Sequence, residues 1–93
     1  MQISTLLSYA GGFKDAIEEI KQLESVGLDM VWVPEAYSFD APSAMGYLAA
    51  NTERVTIASG ILPIYSRTPT LLAMTAAGID YLSDGRCMLG LGA

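Results

Sequence analysis

The sequence predicts an α/β fold, the N-terminal half of a (β/α)8 barrel with four parallel strands and three helices. Three observations predict it. Short apolar, β-branched runs alternate with helical patterns, strand first, and the strand starts recur roughly 25 to 32 residues apart, the period of a βα unit. The apolar share is 52%, which suits parallel strands buried on both faces. Tight turns follow the helical segments, while longer, polar corners follow the strands.

Ile3 to Leu7 is the first strand, ending at the Ser8-Tyr9-Ala10-Gly11-Gly12 loop, whose two glycines can take positive φ. Phe13, Ile17, Ile20, Leu23 and Val26 then recur at spacings of four and three, with charged residues on the opposite face. This is an amphipathic helix, stopped by Gly27 at C′ with Leu28 as its apolar follower. Met30 to Val33 is the second strand, and Pro34 to Phe39 is the corner that follows it. Asp40 reads as an N-cap and Pro42 as a first-turn proline of a helix reaching Asn51, with Met45, Leu48 and Ala49 inward. The third strand, Val55 to Ser59, becomes irregular at Gly60. Thr68-Pro69 opens a helix to Leu82 with Leu72, Thr75, Ala76, Ile79 and Leu82 as its buried stripe, and Ser83-Asp84-Gly85 turns the chain into a fourth strand, Arg86 to Leu91. An open doubly wound sheet is the competing arrangement. The first βα turn lacks the G-x-G-x-x-G fingerprint, however, and no acidic residue follows the second strand in the ribose-binding manner.

Ten acidic residues against five basic ones give a net charge of −5, and Arg54, Arg67 and Arg86 stand apart, so no basic patch is available for nucleic acid. Cys87 is the single cysteine, in an apolar strand, where it reads as a small core residue in a reducing, cytoplasmic setting. No signal-peptide pattern and no apolar run near the ~20 residues needed to span a bilayer is present, and no membrane association is expected. The absence of histidine removes histidine-based acid–base or metal chemistry from these residues, and no metal site is expected.

In a parallel α/β protein ligands gather at the carboxyl ends of the strands. Three corners share that end: Ser8 to Gly12, Pro34 to Asp40, and Gly60 to Thr68. Glu35, directly after the second strand, is the candidate catalytic residue. Its carboxylate could bond a polar cofactor edge or act in proton transfer, or it could pair with Arg67 across adjacent corners. Tyr9 and Tyr37 are candidates for contact with substrate. Tyr37 and Tyr65 could stack on a planar ring or simply pack within their loops. Asp40 is read as a helix cap rather than a catalyst.

Several runs together resemble the luciferase-like monooxygenase superfamily, in the branch that uses the deazaflavin coenzyme F-420. They are Val31-Trp32-Val33-Pro34-Glu35-Ala36-Tyr37 with Asp40, Arg54-Val55 through Gly60-Ile61-Leu62-Pro63, Ser66-Arg67-Thr68-Pro69, Leu72-Ala73-Met74-Thr75-Ala76, and Ser83-Asp84-Gly85-Arg86 with Leu89-Gly90-Leu91-Gly92. The resemblance implies a TIM barrel with a cofactor ring at the carboxyl face. It also implies a non-proline cis peptide at Gly60-Ile61 backing that ring. The cofactor contacts it carries over are Glu35, Ala36, Ser59, Gly60, Ile61 and Leu62. Ala36 stands where the flavin-using branch tends to show histidine, which favours the deazaflavin over FMN; FMN is the alternative cofactor. The implied reaction is hydride transfer between the deazaflavin and a small organic substrate, with an FMN-dependent monooxygenase as the second reading. Family barrels have eight strands and this sequence supplies four, so the expectation is one domain, residues 1–93, that is a piece of a longer chain or one half of a homo-oligomer. The rival from another class is an inert half-barrel that only self-associates.

Overall fold

The computed structural model describes residues 1–9 and 11–93; the part of the first expected loop at Ala10 lies outside the described residues. Strand β1 (Ser4–Leu6), helix α1 (Phe13–Ser25), β2 (Met30–Val33), α2 (Ala41–Asn51), β3 (Thr56–Ser59), β4 (Leu62–Pro63), α3 (Pro69–Leu82), β5 (Cys87–Met88) and β6 (Leu91–Gly92) follow in order. The main sheet has the order β1-β2-β3-β5, every pair parallel, and β4 pairs with β6 beyond it.

Each helix ends where its local chemistry says it should. After α1, Gly27 takes φ 108°, and the Leu28 and Gly27 amides donate to the Leu23 and Glu24 carbonyls at 3.0 and 3.2 Å, a Schellman closure that positive φ permits. The α2 cap is Asp40, whose carboxylate accepts from the Ser43 amide at 3.0 Å; Thr68 caps α3 by accepting from Leu71 at 3.1 Å.

The core lies between the helices and one face of the sheet. Val31, Val33 and Ile57 alternate toward Ile17, Ile20, Met45, Leu48, Leu72 and Ile79, all in one buried cluster. On the other face Leu6, Trp32, Ala58 and Met88 stand in register across the four strands. Among the described residues no helix covers that side; Leu6 and Met88 remain 62% and 43% exposed, while Trp32 is half-buried and Ala58 fully buried.

Three expectations are corrected. Val26 and Leu82, placed in buried stripes, are 81% and 65% exposed, because the helical periodicity ends there: Val26 is the cap residue after α1 and Leu82 the last residue of α3. The fourth strand is not continuous. It divides at Leu89-Gly90, where the fully buried Ser59 hydroxyl donates to the Gly90 carbonyl at 2.9 Å and accepts from its amide at 2.8 Å. A side chain thus occupies a ladder position there, and pairing resumes one step later as β4 with β6. The segment after Gly60, read as wholly irregular, contains that short strand.

Candidate functional site

The carboxyl end of β2 runs into Pro34-Glu35, and the site is assembled on that corner. Glu35 Oε1 and Oε2 each accept a guanidinium nitrogen of Arg67 at 2.7 Å, a two-pronged pair whose side chains are only 14% and 11% exposed. Oε2 also accepts from the Ala41 amide, the first residue of α2, at 2.7 Å. One carboxylate therefore ties together the corner after β2, the helix that follows it and the corner after β4. The Arg67 hydrogen bond lowers the Glu35 pKa first and most; burial opposes it and the Ala41 amide adds to it. The Arg67 pKa is raised by the same contact. Glu35 is thus held ionised with its oxygens already engaged, an arrangement that suits accepting hydrogen bonds better than donating a proton.

Tyr9 leans on the same corner, its hydroxyl donating to the Pro34 carbonyl at 3.1 Å. Burial first, then the negative charges of Glu35 and Asp40, raises its pKa, so the phenol stays protonated as that bond requires. Tyr37, by contrast, takes φ 57° and its side chain stands fully in solvent, as Tyr65 very nearly does. Neither has a ring partner among the described residues. Ala36 is exposed beside Glu35.

The second part of the site is the bulge after β3. The Gly60-Ile61 peptide bond is cis. The bulge is pinned by the Gly60 amide donating to the Val33 carbonyl at 2.9 Å and the Leu62 amide donating to Gly90 at 2.9 Å. Glycines make the close approach feasible. A Cβ on Gly60 would stand 3.1 Å from Trp32 Cε3, one on Gly90 would run into the Ser59 carbonyl oxygen, and one on Gly92 would meet Ile61 Cδ1 at 2.5 Å. Ser59 and Leu62 are fully buried and hold the bulge, whereas Ile61 is 37% exposed and offers an apolar surface. Of the expected site residues, the structure joins Glu35 and Tyr9 around Pro34. Gly60 is tied to that same strand end through Val33, while Tyr37 stands away from both groups.

Sequence reasoning missed two features. One is the aromatic row Phe39–Tyr9–Phe13–Tyr47, with successive ring centroids 6.1, 5.8 and 5.7 Å apart. The other lies at the opposite end of the sheet. Glu24, read as part of the charged face of α1, is buried and accepts from the amides of Glu53, Arg54 and Val55, while Arg86 bonds the Ala49, Thr52, Val55 and Ser83 carbonyls. Among the described residues no cluster of three or more His, Cys, Asp or Glu side chains is arranged to hold a metal, and no helix is long and apolar enough to cross a membrane.

The model of the luciferase-like monooxygenase family matches residues 1–93. The chain belongs to that family. It is 34% identical over 94 residues to a Mycobacterium tuberculosis protein assigned, by name only, as a coenzyme F-420-dependent oxidoreductase, a match covering 99% of this chain and 27% of the relative. It is likewise 34% identical over 91 residues to the F-420-dependent glucose-6-phosphate dehydrogenase of Amycolatopsis mediterranei, covering 87% of this chain and 27% of that one. Among solved structures, the F-420-dependent tetrahydromethanopterin reductase of Methanopyrus kandleri superposes with a TM-score of 0.83 at 25% identity, over 99% of this chain and 26% of that one. The FMN-bound oxygenating constituent of a diketocamphane monooxygenase from Pseudomonas putida gives 0.84 at 20% identity, over 100% and 30%, a likeness of fold alone. The chain therefore spans 27% of the length of these two relatives. The family assignment and the fold expected of it both hold.

Proposed function

We propose that this chain supplies the first loops and the ring-backing bulge of a larger oxidoreductase. That enzyme would transfer hydride between the deazaflavin coenzyme F-420 and a small organic substrate. The observation that carries this reading is the similarity, at 34% identity, to proteins whose names specify F-420. The bulge fits a planar ring. Ile61 presents an apolar surface, and three glycines leave the backbone bare where a Cβ would crowd Trp32, Ser59 or Ile61.

In this reading the coenzyme supplies the hydride chemistry itself, and the protein supplies position and electrostatics. Gly60, Ile61 and Leu62 form the backing, and Ser59 fixes that backing to the last strand. Glu35, with Ala36 beside it, lines the substrate side as a fixed anion. Arg67 holds it ionised and aimed, and Tyr9 steadies the corner through Pro34.

The test is a titration of the full-length protein with F-420 and, separately, with FMN, followed by fluorescence. Saturable F-420 binding with weak or absent FMN binding is expected. Tight FMN binding with none for F-420 would replace this reading with a flavin-dependent monooxygenase, and binding of neither would leave the inert self-associating scaffold.

A further inference from the structure

Between the amino ends of α1 and α2 lies a groove of about 430 Å³ that the proposed redox chemistry does not use. Tyr9, Phe13, Phe39 and Tyr47 wall it, their rings forming one continuous row, and Lys14, Asp40 and Ser43 stand at its rim. Volume and lining are those of small-molecule sites, apolar and aromatic with a few polar groups.

The rim decides the charge of the occupant. Asp40 is already committed, since its carboxylate caps α2 and lies 2.8 Å from the Ser43 hydroxyl through both oxygens. Its pKa is lowered chiefly by that hydroxyl. Lys14 has no hydrogen-bond or ion-pair partner among the described residues, so its ammonium is the one rim charge free to meet a ligand.

We infer that this groove is a binding site for a flat, apolar ring compound bearing an anionic group, the ring lying along the aromatic row and the anion meeting Lys14. The site goes beyond the proposed function and does not depend on it. It touches that site at one point, Tyr9, whose ring lines the groove and whose hydroxyl holds the Pro34 carbonyl.

The experiment measures equilibrium binding of 2-naphthoate, and of the neutral 2-naphthol, to full-length protein without cofactor. Phe39 and Tyr47 are 68% and 41% exposed, so Phe39→Ala and Tyr47→Ala should leave the fold intact, as circular dichroism would verify. Each should weaken naphthoate binding on the order of tenfold, the loss of one aromatic contact with its buried area. Lys14→Gln should weaken naphthoate severalfold and leave naphthol unchanged. The proposal is overturned if neither compound saturates, or if binding survives both aromatic substitutions. A Lys14→Gln variant that treats the two compounds alike would overturn the anionic selectivity. Because no cofactor is present, failure here and failure of the F-420 titration are separate results.

Discussion

A single carboxylate decides how the candidate site is held. Glu35 accepts two guanidinium nitrogens and one helix amide, and removing the cation would leave a mostly buried charge with one donor. Arg67→Met should therefore destabilise the protein by about 1–3 kcal/mol. The sign with pH follows from the lowered pKa: the pair's contribution is present above the ordinary glutamate value of 4.5 and is lost as pH falls through the depressed folded value. The gap between wild type and Arg67→Met in denaturant midpoint should thus close on acidification below about pH 4.5 and stay constant above it; a gap independent of pH would show that the pair is not what stabilises the corner. At the bulge, Gly60→Val would push a branched side chain toward Trp32, where even a Cβ is at 3.1 Å. It should weaken cofactor affinity at least tenfold, and an unchanged dissociation constant would remove the bulge from the binding site. Glu35 and Arg67 were legible as a candidate pair because each follows a strand end. That Glu35 also reaches the Ala41 amide was not, since such a contact depends on how the corner folds back on the helix.

Elements were read best where local chemistry acts alone. Asp40, Thr68 and Gly27 mark helix ends through interactions within a few residues, and the structure places the boundaries there. Strand ends depend on neighbours distant in sequence. The division of the last strand arises from Ser59, 31 residues away from Gly90, and no pattern in Arg86 to Leu91 announces it. The brace at the amino end is of the same kind. Burial alone would raise the Glu24 pKa, yet the amides of Arg54, Val55 and Glu53, helped by Arg86, hold it below the ordinary value. Those amides lie in the turn just before β3, so the end of α1 anchors the approach to that strand, and the Arg54 guanidinium returns a bond of 2.7 Å to the Glu24 carbonyl. Glu24→Ala would strip three amides of their acceptor and should cost about 2–3 kcal/mol. Exchange should quicken at Val55, which is buried, more than at the α3 amides. Uniform acceleration would mean that global stability, not this joint, had changed.

At the scale of the whole molecule, the sheet has one face packed under helices and one without helical cover, whose outer residues Leu6 and Met88 are exposed while Ala58 between them is buried. Helices cover Val31, Val33 and Ile57, while the row Leu6–Trp32–Ala58–Met88 faces away from them. A parallel sheet built of apolar strands is ordinarily covered on both sides, and in a closed barrel the second face is the interior. The chain spans 27% of its relatives' length, so the expected cover is further chain or a second copy. Leu6 is the sharpest reporter, because it is 62% exposed in this structure and a substitution there removes no contact of the helical core. If the row stays bare, Leu6→Lys should change stability by no more than about 0.5 kcal/mol, as surface substitutions do. If the row is interior in the full-length protein, a buried ammonium without a partner should lower stability by about 3 kcal/mol or more. We expect the larger loss in urea denaturation of the full-length protein. Solution mass then separates the two covers, since burial by a second copy makes the denaturation midpoint rise with protein concentration and burial within one chain does not. A near-zero effect of Leu6→Lys at every concentration would mean that this face meets water in the working protein, and barrel closure over it would have to be abandoned.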